Sequence, residues 1–150
     1  MNATANFPLE LDAQLCFALY STSLAMTKAY KPLLEQLGLT YPQYLAMLVL
    51  WENDDQTVKQ MAERLSLDSA TMTPLFKRLE AQGYVKRVRG VADERQVHIR
   101  LSDAGRALKQ AAREIPGEIF CATGSEVDRL VRLRDELVAL RASLVEHNKG

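Results

Sequence analysis

Two cysteines carry the most reactive side chains of this sequence, and they stand far apart, at positions 16 and 121. A thiolate can attack a peroxide or another sulfur, and it can also bind a metal ion. Metal binding is not supported, because the two cysteines and the two histidines show none of the paired spacings that zinc sites use. We therefore expect neither a metal site nor a cofactor.

The surroundings of Cys16 decide whether its thiol is reactive. The residue falls in the first two turns of a predicted helix, and a helix N-terminus can make a thiol more reactive. The carboxylates of Glu10 and Asp12 are close in sequence and oppose this effect, and no cation is nearby in sequence. Activation would have to come from hydrogen-bond donors elsewhere in the fold. The alternative is a buried, inert thiol, which is common for free cysteines.

Tyrosines are the candidate donors, because four of the five lie within the first 44 residues: Tyr20, Tyr30, Tyr41 and Tyr44. Cys16 and Tyr30 are 14 residues apart, which is roughly 21 Å along a straight helix at ~1.5 Å per residue. They can meet only if the helix breaks sharply or if two first helices pack antiparallel across a dimer axis. We therefore predict a composite thiol pocket, with Cys16 from one chain and tyrosine hydroxyls from the other.

The elements that must position these residues belong to a globular chain. Its 150 residues are 47% hydrophobic and 25% charged, which is enough for a core and predicts a single domain over residues 1–150. No apolar run approaches the ~20 residues of a membrane span, and the N-terminus lacks the pattern of a secretory signal. We expect a cytoplasmic protein with no membrane partner, in which a constitutive disulfide is not favoured.

The central stretch, residues 57–101, is predicted to form two short helices and a β-hairpin. Thr57 and Gln60 are spaced as a capping box that begins the first helix. Asp68 or Ser69 is the expected N-cap of the second helix, which Gly83 ends. Two β-compatible runs, 84–89 and 96–101, then flank a turn. This order predicts a mainly α fold with a small β-wing, a winged helix-turn-helix over about residues 41–101.

Charge is segregated onto this central stretch. Residues 77–100 contain seven Lys or Arg against three acids, whereas the first 56 residues contain two cations and six acids. A positive patch on a helix-turn-helix predicts binding to double-stranded DNA, although a solvated helix face with a charged turn is the alternative. Short hydroxyls suit base edges and cations suit phosphates. The predicted DNA contacts are Ser69, Thr71, Thr73, Lys77, Arg78, Arg87, Arg89, Asp93 and Arg95.

Long apolar stripes mark both ends of the chain. The first helix is expected over about residues 10–37, and the last over about 126–147 with leucines at helical spacing. Between them, a helix from Asp103 to about Ile115 is expected to be interrupted by Pro116-Gly117, before a short piece with Cys121. We predict that about residues 10–40 and 103–148 form an intertwined homodimer.

The segment from Asp93 to Gly105, with its Asp-x-Arg turn, strand and Leu-Ser-x-x-Gly exit, resembles the wing of MarR-type transcriptional regulators. That resemblance implies a homodimer that binds a palindromic operator and usually represses. Within this group the sequence is most similar to the OhrR organic-hydroperoxide sensors, at Leu15–Ser21, Tyr30–Leu34 and Leu39–Tyr44.

The resemblance to the hydroperoxide sensors implies roles for individual residues. Cys16 would be the peroxide-reactive thiol, and Tyr30 and Tyr41 would hydrogen-bond to it. Tyr20 would be a further pocket member. Apart from the resemblance, we expect Phe17 to be an apolar residue near the thiol. Cys121 matches the branch in which a second cysteine resolves the oxidised first, and we expect an intersubunit disulfide. The protein would then release its operator when an organic hydroperoxide oxidises Cys16.

Three other functions remain open at the level of sequence. A MarR-type regulator that binds an aromatic ligand reversibly would keep the same fold with inert cysteines. A two-cysteine thiol peroxidase has no reason to carry a basic wing, and no Ser/His/Asp or paired-carboxylate arrangement is present, so we expect no enzyme. A helical interaction module that does not bind DNA is opposed by the segregated charge.

Overall fold

The computed structural model describes residues 7–150, and residues 1–6 of the predicted single domain lie outside the described part. Its contacts divide the chain into two compact units, Met1–Arg113 and Glu114–Gly150. Helices dominate both units, and one three-stranded antiparallel sheet lies in the first. The predicted mainly α fold with a small β-wing is confirmed. Along residues 7–150, no helix is both long and apolar enough to span a bilayer.

The first helix begins later than the apolar pattern predicted. A short 3-10 turn over Leu11–Ala13 is followed by an extended Gln14, and α1 then runs without a break over Leu15–Glu35. The prediction that one helix starts near residue 10 is therefore wrong. The chain turns at Gly38, whose φ of 69° lies in the left-handed region that favours glycine.

Helix α2, Tyr41–Glu52, begins with a capping box. The Thr40 amide donates to Gln43 Oε1 at 2.9 Å, and the Gln43 amide donates to Thr40 Oγ1 at 3.3 Å. Its apolar residues point in nearly every direction, so the helix is buried on most sides. It lies at the centre of the first unit.

The predicted helix-turn-helix is present. Helix α3, Val58–Leu65, begins at the predicted Thr57–Gln60 capping box, and Ser66 turns the chain in the left-handed region at φ 58°. Helix α4, Ser69–Ala81, is capped by Asp68, one of the two predicted caps. Both helices bury one face and expose the other, which leaves the outer face of α4 free for recognition.

The wing consists of strands β2, Val85–Arg89, and β3, Val97–Leu101, paired antiparallel with Arg87 opposite Ile99. A third strand that the sequence did not indicate, β1 over Gln56–Thr57, pairs with β3 on its other side. The sheet order is β1-β3-β2, so β3 is the central strand. The wing is therefore joined to the start of α3 as well as to the end of α4.

The core of the first unit is almost entirely apolar and is built by helices α1 to α4 and strands β2 and β3. Its buried members include Leu34, Leu39, Tyr44, Met47, Leu50, Met61, Met72, Phe76, Leu79, Val85, Ile99 and Leu101. Helix α5, Asp103–Ala112, follows the wing and is capped by Ser102, whose Oγ accepts from the Gly105 amide at 3.0 Å.

The second unit contains α6, Ile115–Thr123, and α7, Val127–Asn148. Pro116 lies in the first turn of α6, where a missing amide hydrogen costs nothing. The prediction that Pro116-Gly117 ends the helix that starts at Asp103, and that a new short segment starts at residue 118, is therefore wrong. Helix α5 already ends at Ala112, and Pro116 lies in the first turn of a helix that continues through Cys121. No residue of α7 is buried, although the helix carries many leucines and valines.

Candidate thiol site and nucleic-acid interface

Three tyrosine rings form a cluster where α1 ends and α2 begins. The ring centroids of Tyr30 and Tyr41 are 5.0 Å apart, those of Tyr30 and Tyr44 are 5.6 Å apart, and those of Tyr41 and Tyr44 are 6.5 Å apart. Tilted aromatic pairs at such separations attract each other beyond simple burial. The cluster exists because the turn after α1 reverses the chain and the α2 capping box fixes where Tyr41 and Tyr44 start.

The cluster holds its phenols in the neutral form. Burial, with smaller contributions from Tyr41 and Tyr44, raises the pKa of Tyr30 to about 12. Burial also raises the pKa of Tyr41 and of Tyr44. All three O–H groups are protonated at neutral pH, as ordinary phenols are, and the raised pKa values extend this neutral state to more alkaline pH. Within residues 7–150, the only tyrosine hydroxyl in a hydrogen bond is that of Tyr84, which donates to the Leu37 carbonyl.

Sequence reasoning named Tyr44 among the candidate donors but gave it no place in the pocket. Its ring is 3% exposed and contacts both other tyrosines. The signal was its spacing of three residues from Tyr41 on a capped helix, which places both on one face.

Cys16 is the second residue of α1, and its side chain is exposed. Since α1 is unbroken, Cys16 lies about 21 Å along the helix axis from Tyr30, at ~1.5 Å for each of 14 residues. One chain therefore does not bring this thiol to the tyrosine cluster. Tyr20, one turn after Cys16, is 65% exposed, and Phe17 is half-buried. Cys16, Phe17 and Tyr20 thus form one half-site, and the tyrosine cluster forms another.

Cys121 lies in α6 of the second unit, and its thiol is free and exposed. In residues 7–150, no group of three or more His, Cys, Asp or Glu side chains is arranged to hold a metal ion.

A groove of about 510 Å³ lies between α1 and the start of α2, beside the tyrosine cluster. Its wall includes Leu24, Lys28, Lys31, Leu39, Tyr41 and Pro42. The surface is mostly apolar, and its two lysines outnumber the one carboxylate that also lines it, that of Glu35. The groove therefore has the size and charge to hold a small aromatic ligand with one negative charge.

The exposed face of α4 carries the hydroxyls predicted to contact DNA. Thr71 donates through Oγ1 to Asp68 Oδ1 at 2.9 Å, and Thr73 donates through Oγ1 to the Ser69 carbonyl at 3.0 Å. Because these hydroxyl hydrogens are used within the helix, the oxygens face outward mainly as acceptors. Such acceptors match the amino groups of adenine and cytosine in the major groove. Lys77 and Arg78 are exposed further along the helix.

The wing holds its arginines in different ways. Glu80 binds Arg87, accepting from Nε at 3.0 Å and from the backbone amide at 2.9 Å, whereas Arg89 is exposed. At the tip, Asp93 Oδ1 accepts from the Arg95 amide at 3.0 Å and from its Nε at 3.2 Å. The Arg95 amide is also the main reason that the pKa of Asp93 is lowered. Asp93 therefore positions Arg95, whose side chain is 92% exposed.

The acidic turn before β1 contacts the wing, which the sequence did not indicate. Asp54 Oδ1 accepts from the Leu101 amide at 2.8 Å, and Asp55 Oδ1 lies 3.1 Å from His98 Nδ1 and 3.2 Å from Arg100 Nε. The turn thus fastens β3, and it engages Arg100, one of the seven cations of the basic patch. Local sequence patterns do not predict contacts between residues that are more than 40 positions apart.

The model of the transcriptional regulator SarA/Rot family matches residues 28–112. The organic hydroperoxide resistance transcriptional regulator of Bacillus subtilis is 48% identical over 93% of this chain and 95% of its own length. Reduced AbfR bound to DNA, a Staphylococcus epidermidis protein, is 38% identical with a TM-score of 0.76, covering 90% of this chain and 94% of that chain. Disulfide-formed AbfR is 34% identical with a TM-score of 0.61, covering 93% of each chain.

Proposed function

The chain belongs to the SarA/Rot family of winged-helix transcriptional regulators, and from this premise we propose that it is a redox-sensing repressor of the organic-hydroperoxide type. As a homodimer it binds a palindromic DNA operator while its thiols are reduced. It releases the operator when an organic hydroperoxide oxidises Cys16.

The observation that carries the proposal is the split thiol site. An unbroken α1 separates Cys16 from Tyr30 by about 21 Å in one chain, while the hydroxyls of the tyrosine cluster have no acceptor within residues 7–150. Two antiparallel α1 helices bring the thiol of one protomer to the phenols of its partner. Neutral phenols donate hydrogen bonds to a thiolate and favour the charged, nucleophilic form.

The apolar residues left uncovered support a dimer. On α1, Leu15, Leu19 and Leu24 are 37–59% exposed, and on α7, Leu133 and Leu137 are 37–47% exposed. Burying such a stripe against a second copy removes apolar area from water at roughly 25 cal/mol per Å². A symmetric dimer that buries the α1 stripe would complete both thiol pockets.

The oxidation of Cys16 proceeds in two steps. The Cys16 thiolate attacks the terminal oxygen of the hydroperoxide, so that an S–O bond forms, the O–O bond breaks, and the alkoxide leaves and takes up a proton as an alcohol. Cys16 is then a sulfenic acid. The Cys121 thiolate of the partner attacks this sulfur, an S–S bond forms, and hydroxide leaves and is protonated to water.

A disulfide requires Cα atoms to approach within about 4.4–6.8 Å, so its formation can move helices. AbfR supports such a rearrangement, because this chain matches its reduced DNA-bound form with a TM-score of 0.76 and its disulfide form with only 0.61. Operator half-sites require a spacing of about 34–36 Å between recognition helices. A modest change in the distance between the two α4 helices is therefore enough to lose the operator.

The test uses a palindromic duplex enriched from a random DNA library by the reduced protein. Cumene hydroperoxide should release the wild-type protein, and Cys16→Ser should bind the duplex but ignore the peroxide. A dimer-sized band should form on a non-reducing gel only when both cysteines are present. Cys121→Ser should lose its Cys16 thiol to peroxide without forming the band. Loss of DNA binding by reduced Cys16→Ser would make the thiol structural and contradict the proposal.

The groove beside Tyr41 favours a second candidate, a regulator that binds a small aromatic anion reversibly. That function predicts release of the duplex by salicylate from Cys16→Ser as readily as from wild type. Substitution of Lys31 by Met should then weaken the response to salicylate and leave the response to cumene hydroperoxide unchanged.

A further inference from the structure

Two side-chain amides join the tyrosine cluster to the recognition helix. Gln43 follows Tyr41 by two residues and is 4% exposed, the only polar side chain in the buried core of residues 7–150. Its Nε2 donates to Gln82 Oε1 at 3.1 Å, and Gln82 Nε2 donates in turn to the Gly38 carbonyl. Gln82 is the C-cap residue of α4. The chain of bonds thus runs from the start of α2 to the end of α4 and back to the α1–α2 turn.

A third bond strengthens the same junction. The Tyr84 hydroxyl donates to the Leu37 carbonyl at 3.2 Å. Residues 82 and 84, which follow α4, therefore bind the carbonyls of two successive residues in the turn after α1, Leu37 and Gly38. The turn favours glycine at position 38 for its positive φ of 69°, since a Cβ there would lie at an ordinary contact distance of 3.7 Å from Gln82 Nε2. The α1–α2 turn, flanked by Tyr30 and Tyr41, is therefore fastened to the end of the DNA-reading helix.

We propose that Gln43 and Gln82 are positioning residues that transmit the state of the tyrosine cluster to α4. This inference rests on the proposed redox function, in which the hydroxyls of Tyr30 and Tyr41 contact the partner's thiol. When that thiol becomes a disulfide, the acceptor of the phenols changes and the α1–α2 turn moves with them. The amide pair then moves the C-terminal end of α4.

The chemistry of the pair suits this role. Gln43 Oε1 accepts a hydrogen bond from the Thr40 amide, and Gln43 Nε2 donates one to Gln82 Oε1. A buried amide that loses its partner costs more than the bond contributes, which makes the connection resist stretching. Because amides do not titrate, the coupling is independent of pH. Coupling between distant sites is carried by packed and hydrogen-bonded contacts, and this pair joins the α1–α2 turn directly to the end of α4.

The test replaces Gln82 by Met, which keeps the length of the side chain and removes both bonds. We expect Cys16 oxidation by cumene hydroperoxide at the wild-type rate and binding of the reduced protein to the selected duplex. The dissociation constant for the duplex is larger in the oxidised than in the reduced protein, and the ratio of the two should fall about fivefold. This is the factor that the net contribution of one ordinary hydrogen bond corresponds to. Gln82→Glu keeps an acceptor for Gln43 but places a carboxylate oxygen against the Gly38 carbonyl, so it should also lower this ratio.

The matched control is Gln110→Met on the exposed face of α5, which should keep the wild-type ratio. An unchanged ratio in Gln82→Met, or equal weakening of both redox states, would overturn the coupling role. If Gln82→Met does not fold, an unchanged ratio in Gln82→Glu would overturn it instead. If wild type is oxidised at Cys16 but not released by the peroxide, the proposed function itself fails, which separates the two results.

Discussion

The carboxylate of Glu80 near the end of α4 holds Arg87 on the neighbouring strand, accepting from its Nε at 3.0 Å and from its backbone amide at 2.9 Å. The backbone amide of Arg87 is the main reason that the pKa of Glu80 is lowered, so this carboxylate stays ionised as pH falls. Arg87 therefore ties the wing to the recognition helix, and its charge is already compensated. Arg89, two residues on, is exposed, and it makes no ion pair with any residue of 7–150.

This relationship predicts unequal roles for two arginines of one strand. Arg89→Ala should lower the magnitude of the salt dependence of DNA binding by about 1, as expected for one lost phosphate contact. Arg87→Ala should leave the salt dependence close to wild type, because its guanidinium is engaged by Glu80. The measurement is the slope of log K against log salt on the selected duplex. Equal reductions for both variants would mean that Arg87 leaves Glu80 for the DNA.

The second prediction concerns Gly105, at the exit of the wing. A Cβ there would lie 2.1 Å from the Tyr84 carbonyl oxygen, and the Gly105 carbonyl accepts from Trp51 Nε1 at 2.9 Å. Gly105→Ala should destabilise the fold by about 1–3 kcal/mol, the usual cost of overpacking. Urea unfolding followed by the fluorescence of Trp51, the single tryptophan, measures this directly.

Gly117→Ala is the control for Gly105. Gly117 lies in α6 with nothing within 4 Å of an added Cβ. Alanine should be neutral or stabilising there by roughly 0.5–1 kcal/mol, since glycine is a poor helix former. Destabilisation of both variants to the same extent would remove the steric explanation.

Local signals explain why much of the fold could be predicted. The capping box at Thr57 and the hydrophobic periodicity act over a few residues, and the helices and wing strands that they indicate are present. Strand β1 could not be predicted in this way, because two residues have no period, and they form a strand only by pairing with β3. The position of Pro116 could not be predicted either, because a proline suits both the end of one helix and the first turn of the next.

The candidate site was predictable only in part for the same reason. The spacing of Cys16 and Tyr30 on one helix already implied two half-sites, because helical rise is fixed. The contacts that fasten the pieces together join residues 39 to 47 positions apart, such as Gln43 with Gln82 and Asp54 with Leu101. Such pairs form only through tertiary packing, and the local pattern of a single sequence does not predict them.

The third prediction concerns the ionisation of Tyr30. Its pKa is raised from 10.0 to about 12, so the neutral phenol is stabilised by folding. A raised folded-state pKa contributes stability that is complete below pH 10 and is lost as pH rises to about 12. The stability difference between wild type and Tyr30→Phe should therefore change over this window and be constant below it. Urea unfolding at a series of pH values measures the difference.

The absorbance of tyrosinate gives an independent view of the same group. Wild type should show a component that titrates near pH 12, and Tyr30→Phe should lack it. Tyr20→Phe, which changes an exposed ring outside the cluster, should keep that component. Its persistence in Tyr30→Phe would assign it to another tyrosine and contradict the burial of Tyr30 in the cluster.

The fourth prediction separates charge from positioning at the wing tip. Arg95→Ala removes a cation that is 92% exposed, so DNA affinity should fall and the salt slope should lose about 1. Asp93→Ala keeps that cation but removes the carboxylate that holds it at 3.2 Å. We expect this variant to keep its salt slope and to lose discrimination between the selected palindrome and random duplex, because a loosely held arginine contacts any phosphate. Val91→Ala, a fully exposed neutral position at the same tip, should change neither quantity. Full discrimination by Asp93→Ala would mean that Arg95 needs no partner to find its place on the DNA.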